Sequence, residues 1–172
     1  MRRFLILMTM VGAMLLAVAS PAVALTTGFD ASFREQFEGA APFKPCPTGG
    51  DDPCGVGRIR GLGRATERFE LEGEPQEVDS CEHIMGTTTI TLQDGNGTLV
   101  IAEEETFCTP GNSTNTPGNQ LHSFGNPGRA EGTWAVISGT GVFAGASGGG
   151  TLSYVAAGDV LNIRYSGTIS LP

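Results

Sequence analysis

The sequence predicts an all-β protein, an eight-stranded antiparallel up-and-down β-barrel, with a two-sheet β-sandwich as the alternative. Three observations lead to this fold class: the 172 residues include 26 glycines, several short segments alternate apolar and polar side chains, and few stretches favour a helix. A closed barrel is the simplest arrangement of about eight strands joined mostly by short connections, because closure removes the exposed edges of the sheet.

The first 24 residues have the features of a secretory signal peptide. Arg2 and Arg3 form a charged start, residues 4–18 are nearly all apolar, and Ala22-Val23-Ala24 has the form of a cleavage site. The apolar run is short for a membrane span and has no stop-transfer flank. We therefore expect residues 25–172 to be one domain, secreted or otherwise extracytoplasmic, with no membrane span after removal of the signal.

The charge balance restricts the partners of this domain. Without the two leader arginines it has 8 basic and 18 acidic residues, a net charge of −10. Such a charge argues against nucleic acid or an anionic membrane as a partner. No cofactor is expected, and no metal cluster either, because the four cysteines are predicted to pair and the two histidines lie far apart in sequence. The oligomeric state is left open.

The first half of the domain contains three predicted strand regions and a loop. A strand is expected around residues 31–38, followed by a Pro- and Gly-rich loop at 42–55 that holds Cys46 and Cys54. Residues 57–72 predict two strands or one bent strand, because two glycines, at positions 61 and 63, indicate a bend. A turn is expected at 73–75.

Residues 80–108 form the clearest predicted unit, a β-hairpin around Asp94-Gly95. A two-residue turn there pairs Ile90 with Leu99 and places the apolar residues of both strands on one face. The same register sets Cys81 opposite Cys108. An even number of cysteines in an exported chain favours disulfides, so we predict the bridges Cys46–Cys54 and Cys81–Cys108.

The second half predicts three more strands, at residues 130–138, 150–155 and 160–171, with a turn at 157–159. A long polar segment, 109–128, precedes them, and its length is typical of a functional lid or a disordered loop. The predicted interior residues of the whole barrel are apolar and alternate along their strands: Ile84, Ile90, Leu99, Ile101, Phe143, Leu161 and Ile163.

Residues 138–150 form a glycine-rich corner, in which six glycines surround the single aromatic residue Phe143. We expect one strand to end here, a short segment to plug the core, and the next strand to begin. The stretch from Glu131 to Gly150 resembles the Gly-Thr-Gly, Phe, Gly/Ala-rich corner of the allene oxide cyclase and dirigent β-barrel superfamily. The resemblance implies an eight-stranded antiparallel barrel with an apolar cavity. It implies no activity, since the catalytic residues of that superfamily do not match this chain one by one.

The candidate ligand-binding residues are Glu67, Glu103, Glu105 and Tyr165. Glu103 and Glu105 continue the inward row of the hairpin beyond Ile101, and the absent side chain of Gly86 leaves space opposite Glu103. Glu67 and Tyr165 join them only if their strands run at a matching height. A carboxyl in an apolar interior has a raised pKa and can act as a general acid or base. The alternative is that residues 103–105 are a solvated strand end.

Three functions fit these features. The first is a secreted barrel that binds an apolar small molecule. The second is an isomerase or cyclase of the allene oxide cyclase or dirigent kind, with catalytic residues unknown. The third is a structural or interaction protein with a filled barrel. An open interior would separate the first two from the third, and turnover would separate the second from the first.

Overall fold

In a computed structural model the chain is almost entirely β-structure, without an α-helix among the described residues. The structure describes residues 25–36, 46–47, 54–78, 81–108, 128–157 and 160–172. Nine strands are present in these ranges: β1 Leu25–Gln36, β2 Gly55–Ile59, β3 Gly63–Leu71, β4 Gln76–Val78, β5 Cys81–Leu92, β6 Thr98–Cys108, β7 Gly128–Gly139, β8 Ser147–Ala157 and β9 Val160–Leu171.

Eight of these strands close into an antiparallel up-and-down barrel, as the sequence predicts. The order of the strands is β3-β2-β1-β9-β8-β7-β6-β5, and pairing between β3 and β5 closes the sheet. The strand β4 pairs with the first residues of β5, beyond the part of β5 that β3 covers. In place of the turn predicted at 73–75 there is a bend at Gly73, with a positive φ of 78°; the chain does not reverse there, because β3 and β4 both run antiparallel to β5. The short strand β4 was not predicted. Three residues are too few for an alternating pattern to be recognised.

The two ends of the domain are joined by the ladder between β1 and β9. It runs without interruption from Leu25 opposite Leu171 to Gln36 opposite Val160. The prediction of a first strand at 31–38 was therefore wrong at its start, because pairing with the C-terminal strand extends β1 back to Leu25. The last two predicted residues lie outside the described part of the chain, as do the signal peptide and the turn residues 158 and 159.

The hairpin of β5 and β6 has the predicted register. Ile90 is opposite Leu99, both are buried, and Cys81 is opposite Cys108. The connection is wider than a two-residue turn, since β5 ends at Leu92 and β6 begins at Thr98. The Asp94 side chain shapes it by accepting the backbone N–H of Asn96 at 3.0 Å, a local bond that competes with strand pairing.

The disulfide predicted between Cys46 and Cys54 is present. Cys81 is also disulfide-bonded, and its strand register opposite Cys108 agrees with the second predicted bridge. A disulfide is consistent with an extracytoplasmic location. In the described ranges no helix has the length and apolar character needed to cross a membrane.

The glycine-rich corner plugs one end of the barrel. A single 3₁₀ turn, Gly141–Phe143, follows β7 and places Phe143 in the core with no exposed surface. The last part of the predicted corner is strand instead, because β8 already begins at Ser147. Glycine is required there by close backbone packing: a Cβ at Gly150 would lie 2.0 Å from the carbonyl oxygen of Ser166.

The core is filled by inward side chains of all eight barrel strands. Trp134 and Phe29 pack with ring centroids 5.0 Å apart. Six of the seven predicted interior residues are buried, and Leu161 is partly buried against the same core.

The space that Gly86 was predicted to leave opposite Glu103 is occupied by an aromatic ring from the neighbouring strand. A Cβ at Gly86 would lie 2.2 Å from the ring of Phe69 and 2.7 Å from the carbonyl oxygen of Glu70. Gly86→Ala is therefore expected to lower the free energy of unfolding by about 1–3 kcal/mol through overpacking. Gly28→Ala, on β1 with no atom within 4 Å of the added Cβ, is the matched control. Urea denaturation of both variants tests this, and equal stabilities would contradict it.

Candidate functional site

The four candidate residues all point into the barrel. Glu67 lies on β3, Glu103 and Glu105 on β6, and Tyr165 on β9. Their exposed fractions are 1% for Glu67 and Tyr165 and 5% for Glu103 and Glu105. The alternative of a solvated strand end at 103–105 is therefore wrong for the two outer residues, and only Glu104 between them is exposed.

The Tyr165 hydroxyl connects two of the carboxyls. It donates a hydrogen bond to Glu103 Oε1 at 2.8 Å and lies 3.4 Å from Glu67 Oε2. A phenol has one proton to donate. That proton goes to Glu103. The contact with Glu67 is therefore a hydrogen bond only when the Glu67 carboxyl is protonated and donates to the phenol oxygen. The strands that carry Glu67 and Tyr165 therefore run at a height that matches Glu103.

The cluster extends to the second tyrosine. Glu105 interacts with Glu103, and Tyr154 interacts with Glu105 from β8. Two carboxyls can share a hydrogen bond only when one of them is protonated. The result is a buried chain of five groups that crosses the interior in the order Tyr154, Glu105, Glu103, Tyr165 and Glu67. We refer to these five residues as the carboxyl–tyrosine chain.

Burial raises the pKa of every carboxyl in this chain. The pKa of Glu105 rises to about 9, first through burial and then through its hydrogen bond and charge interaction with Glu103. Burial also raises the pKa of Glu103, although polar contacts with Glu105 and Thr88 and the hydrogen bond from Tyr165 oppose the increase. For Glu67 burial is again the main cause of a raised pKa, and the charges of Glu35 and Glu103 add to it. With a pKa of about 9, Glu105 is a neutral acid at neutral pH.

Glu67 packs closely against the backbone of β2. A Cβ at Gly55 on β2 would lie 2.3 Å from Glu67 Oε1, so only glycine leaves room for this carboxyl. Among the described residues, Oε1 is buried without a hydrogen-bond partner. An unsatisfied buried polar atom costs about 1–3 kcal/mol, and a donor supplied by a bound molecule would offset that cost.

Three further residues belong to this interior and were not predicted. Tyr154 is buried on β8, Glu82 is buried on β5, and Glu35 lies partly buried on β1. Burial raises the pKa of both additional glutamates. Leu152 and Tyr154 are two residues apart, and every second residue of a strand shares a face. This spacing predicts that Tyr154 points inward together with Leu152. In the same way, Glu35 lies two residues after Phe33, which predicts that it shares the inward face of β1 with Phe33.

Within the part of the chain that the structure describes, no group of three or more His, Cys, Asp or Glu side chains is arranged to hold a metal ion. Comparison of the chain with protein-family models, with curated proteins and with solved structures found no match. The fold and the interior together define an eight-stranded antiparallel barrel that contains a buried chain of carboxyl and tyrosine groups.

Proposed function

We propose that this protein is a secreted small-molecule-binding barrel, in which an apolar ligand places one polar group against the carboxyl–tyrosine chain. The observation that carries the proposal is the buried Oε1 of Glu67, which has no hydrogen-bond partner among the described residues. Ligand sites are typically apolar with a few polar groups that fix orientation. An ordinary filled core would not contain three carboxyls and two tyrosine hydroxyls.

We place the ligand site in the part of the interior that holds the carboxyl–tyrosine chain, because the opposite side is filled. Phe143 plugs the opposite side and has no exposed surface. The neutral carboxyl of Glu105 and the tyrosine hydroxyls offer both donors and acceptors. We therefore expect a ligand with one hydroxyl or carbonyl group on an apolar body, such as a terpenoid, a phenol or a single-chain lipid alcohol.

The signal peptide and the predicted lid support this function. A leader at residues 1–24 would export the protein to a compartment where the Cys46–Cys54 disulfide is stable. The segment 109–128 follows Cys108, where β6 ends, and is our proposed cover for the ligand; residues 109–127 lie outside the described part of the chain.

Ligand binding is tested by thermal unfolding in the presence of terpenoid, phenolic and lipid alcohols. A bound compound is expected to raise the melting temperature, since it binds the folded state alone. Glu103→Ala and Glu105→Ala should reduce that increase, whereas Glu104→Ala on the exposed side of the same strand should leave it unchanged. If no compound shifts the melting temperature and a crystal structure shows a fully packed interior, the structural-protein function replaces this one.

An isomerase or cyclase is the second candidate, and one observation favours it. The 2.8 Å hydrogen bond from Tyr165 to Glu103 pairs a phenol with a carboxyl inside an apolar barrel, which is an arrangement suited to general acid–base catalysis. Tyr165→Phe removes this proton while keeping the ring. Loss of turnover with retained ligand binding in that variant would establish catalysis, and equal conversion with and without the protein would rule it out.

A further inference from the structure

A groove of about 1000 Å³ lies on the outside of the barrel, across β8, β9, β1, β2 and β3. Among the described residues that line it, the charged ones are all arginines, namely Arg34, Arg58, Arg64 and Arg164, with no Asp or Glu. These are four of the eight basic residues present from residue 25 onward, in a domain with a net charge of −10. Half of the positive charge is therefore gathered in one concave surface, which we call the arginine groove.

The strand register brings three of these arginines into one row. Arg164 on β9 is opposite Ser32 on β1, Ser32 is opposite Arg58 on β2, and Arg58 is opposite Arg64 on β3. Neighbouring strands are about 4.8 Å apart, so the row spans about 14 Å. Arg34 lies two residues further along β1, about 7 Å from the row.

Nothing in the described chain neutralises these charges. All four arginines are exposed, and none of the ion pairs or side-chain hydrogen bonds of the described residues involves them. The contrast with Arg60 and Arg129 is direct, because those two pair with Asp30 and Glu131. Like charges directly opposite each other on neighbouring strands destabilise a sheet. The pair Arg58 and Arg64 therefore costs stability unless an anion lies between the two side chains.

We propose that the arginine groove binds a small, free molecule that carries two or more oxyanion groups, such as phosphates or carboxylates. Guanidinium groups match both anions through paired hydrogen bonds. The spacing within the row, about 5 Å for one pair and about 10 Å from Arg164 to Arg58, fits acidic groups distributed along one molecule. Val56 and Val155, which also line the groove, offer contact to the uncharged part of the ligand.

The occupant is a small molecule because the rest of the surface is acidic. An anionic membrane or a long polyanion would extend beyond the groove and meet the remaining negative charge of the domain. A small anion stays within the groove, and charges more than about 10 Å away are screened at physiological salt. This site is separate from the barrel interior, since its polar side chains lie on the opposite face of the strands.

The test uses the whole mature protein and two probes, tripolyphosphate and citrate, in isothermal titration calorimetry. At least one of them should bind, and the stronger one tells phosphate from carboxylate ligands. Arg58→Gln and Arg164→Gln should each weaken binding by about tenfold or more, as expected for loss of a charge-assisted hydrogen bond. Arg129→Gln, an exposed arginine outside the groove, should change the dissociation constant by less than about twofold.

A stability measurement without ligand provides an independent test. Arg64→Gln removes the like-charge pair with Arg58, and should raise the melting temperature of the unliganded protein at low salt, whereas Arg129→Gln should not. The proposal is overturned if neither probe binds, or if Arg58→Gln binds as tightly as Arg129→Gln. It is also overturned if anionic vesicles bind but the probes do not, or if the groove arginines prove necessary for self-association in size-exclusion chromatography.

Discussion

The free energy of unfolding is expected to fall as the pH rises from about 5 to about 9, which makes the protein most stable in mild acid. The cause is the set of buried carboxyls in the barrel. The pKa of Glu105 is about 9 in the folded protein, against an ordinary value of 4.5. Between these values the unfolded chain has released the proton and the folded chain retains it. Each such carboxyl therefore lowers the free energy of unfolding by about 1.4 kcal/mol per pH unit.

The sign follows from the direction of the pKa shift. A group whose pKa is raised on folding contributes its full stability below the unfolded pKa and loses it as the pH rises through the folded pKa. The pKa values of Glu67 and Glu103 are raised in the same direction, with burial as the first cause. Urea denaturation at about pH 5, 7 and 9 measures the effect, and one such group alone predicts a loss of about 3 kcal/mol over two pH units.

Glu105→Gln isolates the contribution of one carboxyl. The amide has nearly the same shape and no proton to lose in this range, so the decrease in stability with pH should become shallower. Glu104→Gln on the same strand is the control, because Glu104 is exposed and lies between the two buried glutamates. A stability that is flat or rises between pH 5 and 9, or the same slope in both variants, would contradict the burial of ionisable groups as the cause.

The sequence predicted those parts of the fold that depend on local pairing. One turn at Asp94-Gly95 sets the register of an entire hairpin, and that register gives the inward direction of Glu103 and Glu105 as well as the pairing of Ile90 with Leu99. Alternation alone is sufficient here because a shift by one residue would turn every apolar side chain outward. The predicted and observed registers therefore agree along both strands, although the connection between them is wider than the predicted two-residue turn.

The parts that were not predicted depend on pairing between distant segments. The meeting of Glu67 with Tyr165 requires the heights of β3 and β9, which are set by the stagger of the whole closed sheet. Tyr154 approaches Glu105 from β8. The sequence predicts a corner where the glycine-rich start of β8 lies. The arginine groove has this origin in part: Arg58 and Arg64 face each other in a local pairing of β2 with β3, but Arg164 joins them only through the pairing of β1 with β9. No local pattern encodes such stagger.

The corner at residues 138–150 makes the last prediction, on stability. Phe143 has no exposed surface, and its replacement by alanine leaves a cavity that surrounding strands fill only in part. Large aromatic-to-alanine changes in a core cost about 3–5 kcal/mol, so Phe143→Ala should destabilise the protein by that amount. Val142→Ala, at the exposed neighbouring position, is the control and should cost less than about 1 kcal/mol.

The effect of Phe143→Ala reports packing of the ring, because the backbone of the corner is held independently. Val142 N–H donates to the Asn96 carbonyl at 2.9 Å, and Thr140 N–H donates to the Thr98 carbonyl at 2.8 Å, so the corner stays attached to the β5–β6 hairpin without the ring. Urea denaturation at constant pH compares the two variants with the unsubstituted protein. If Phe143→Ala costs no more than Val142→Ala, the ring does not plug the barrel, and a ligand is then not confined to the part of the interior that holds the carboxyl–tyrosine chain.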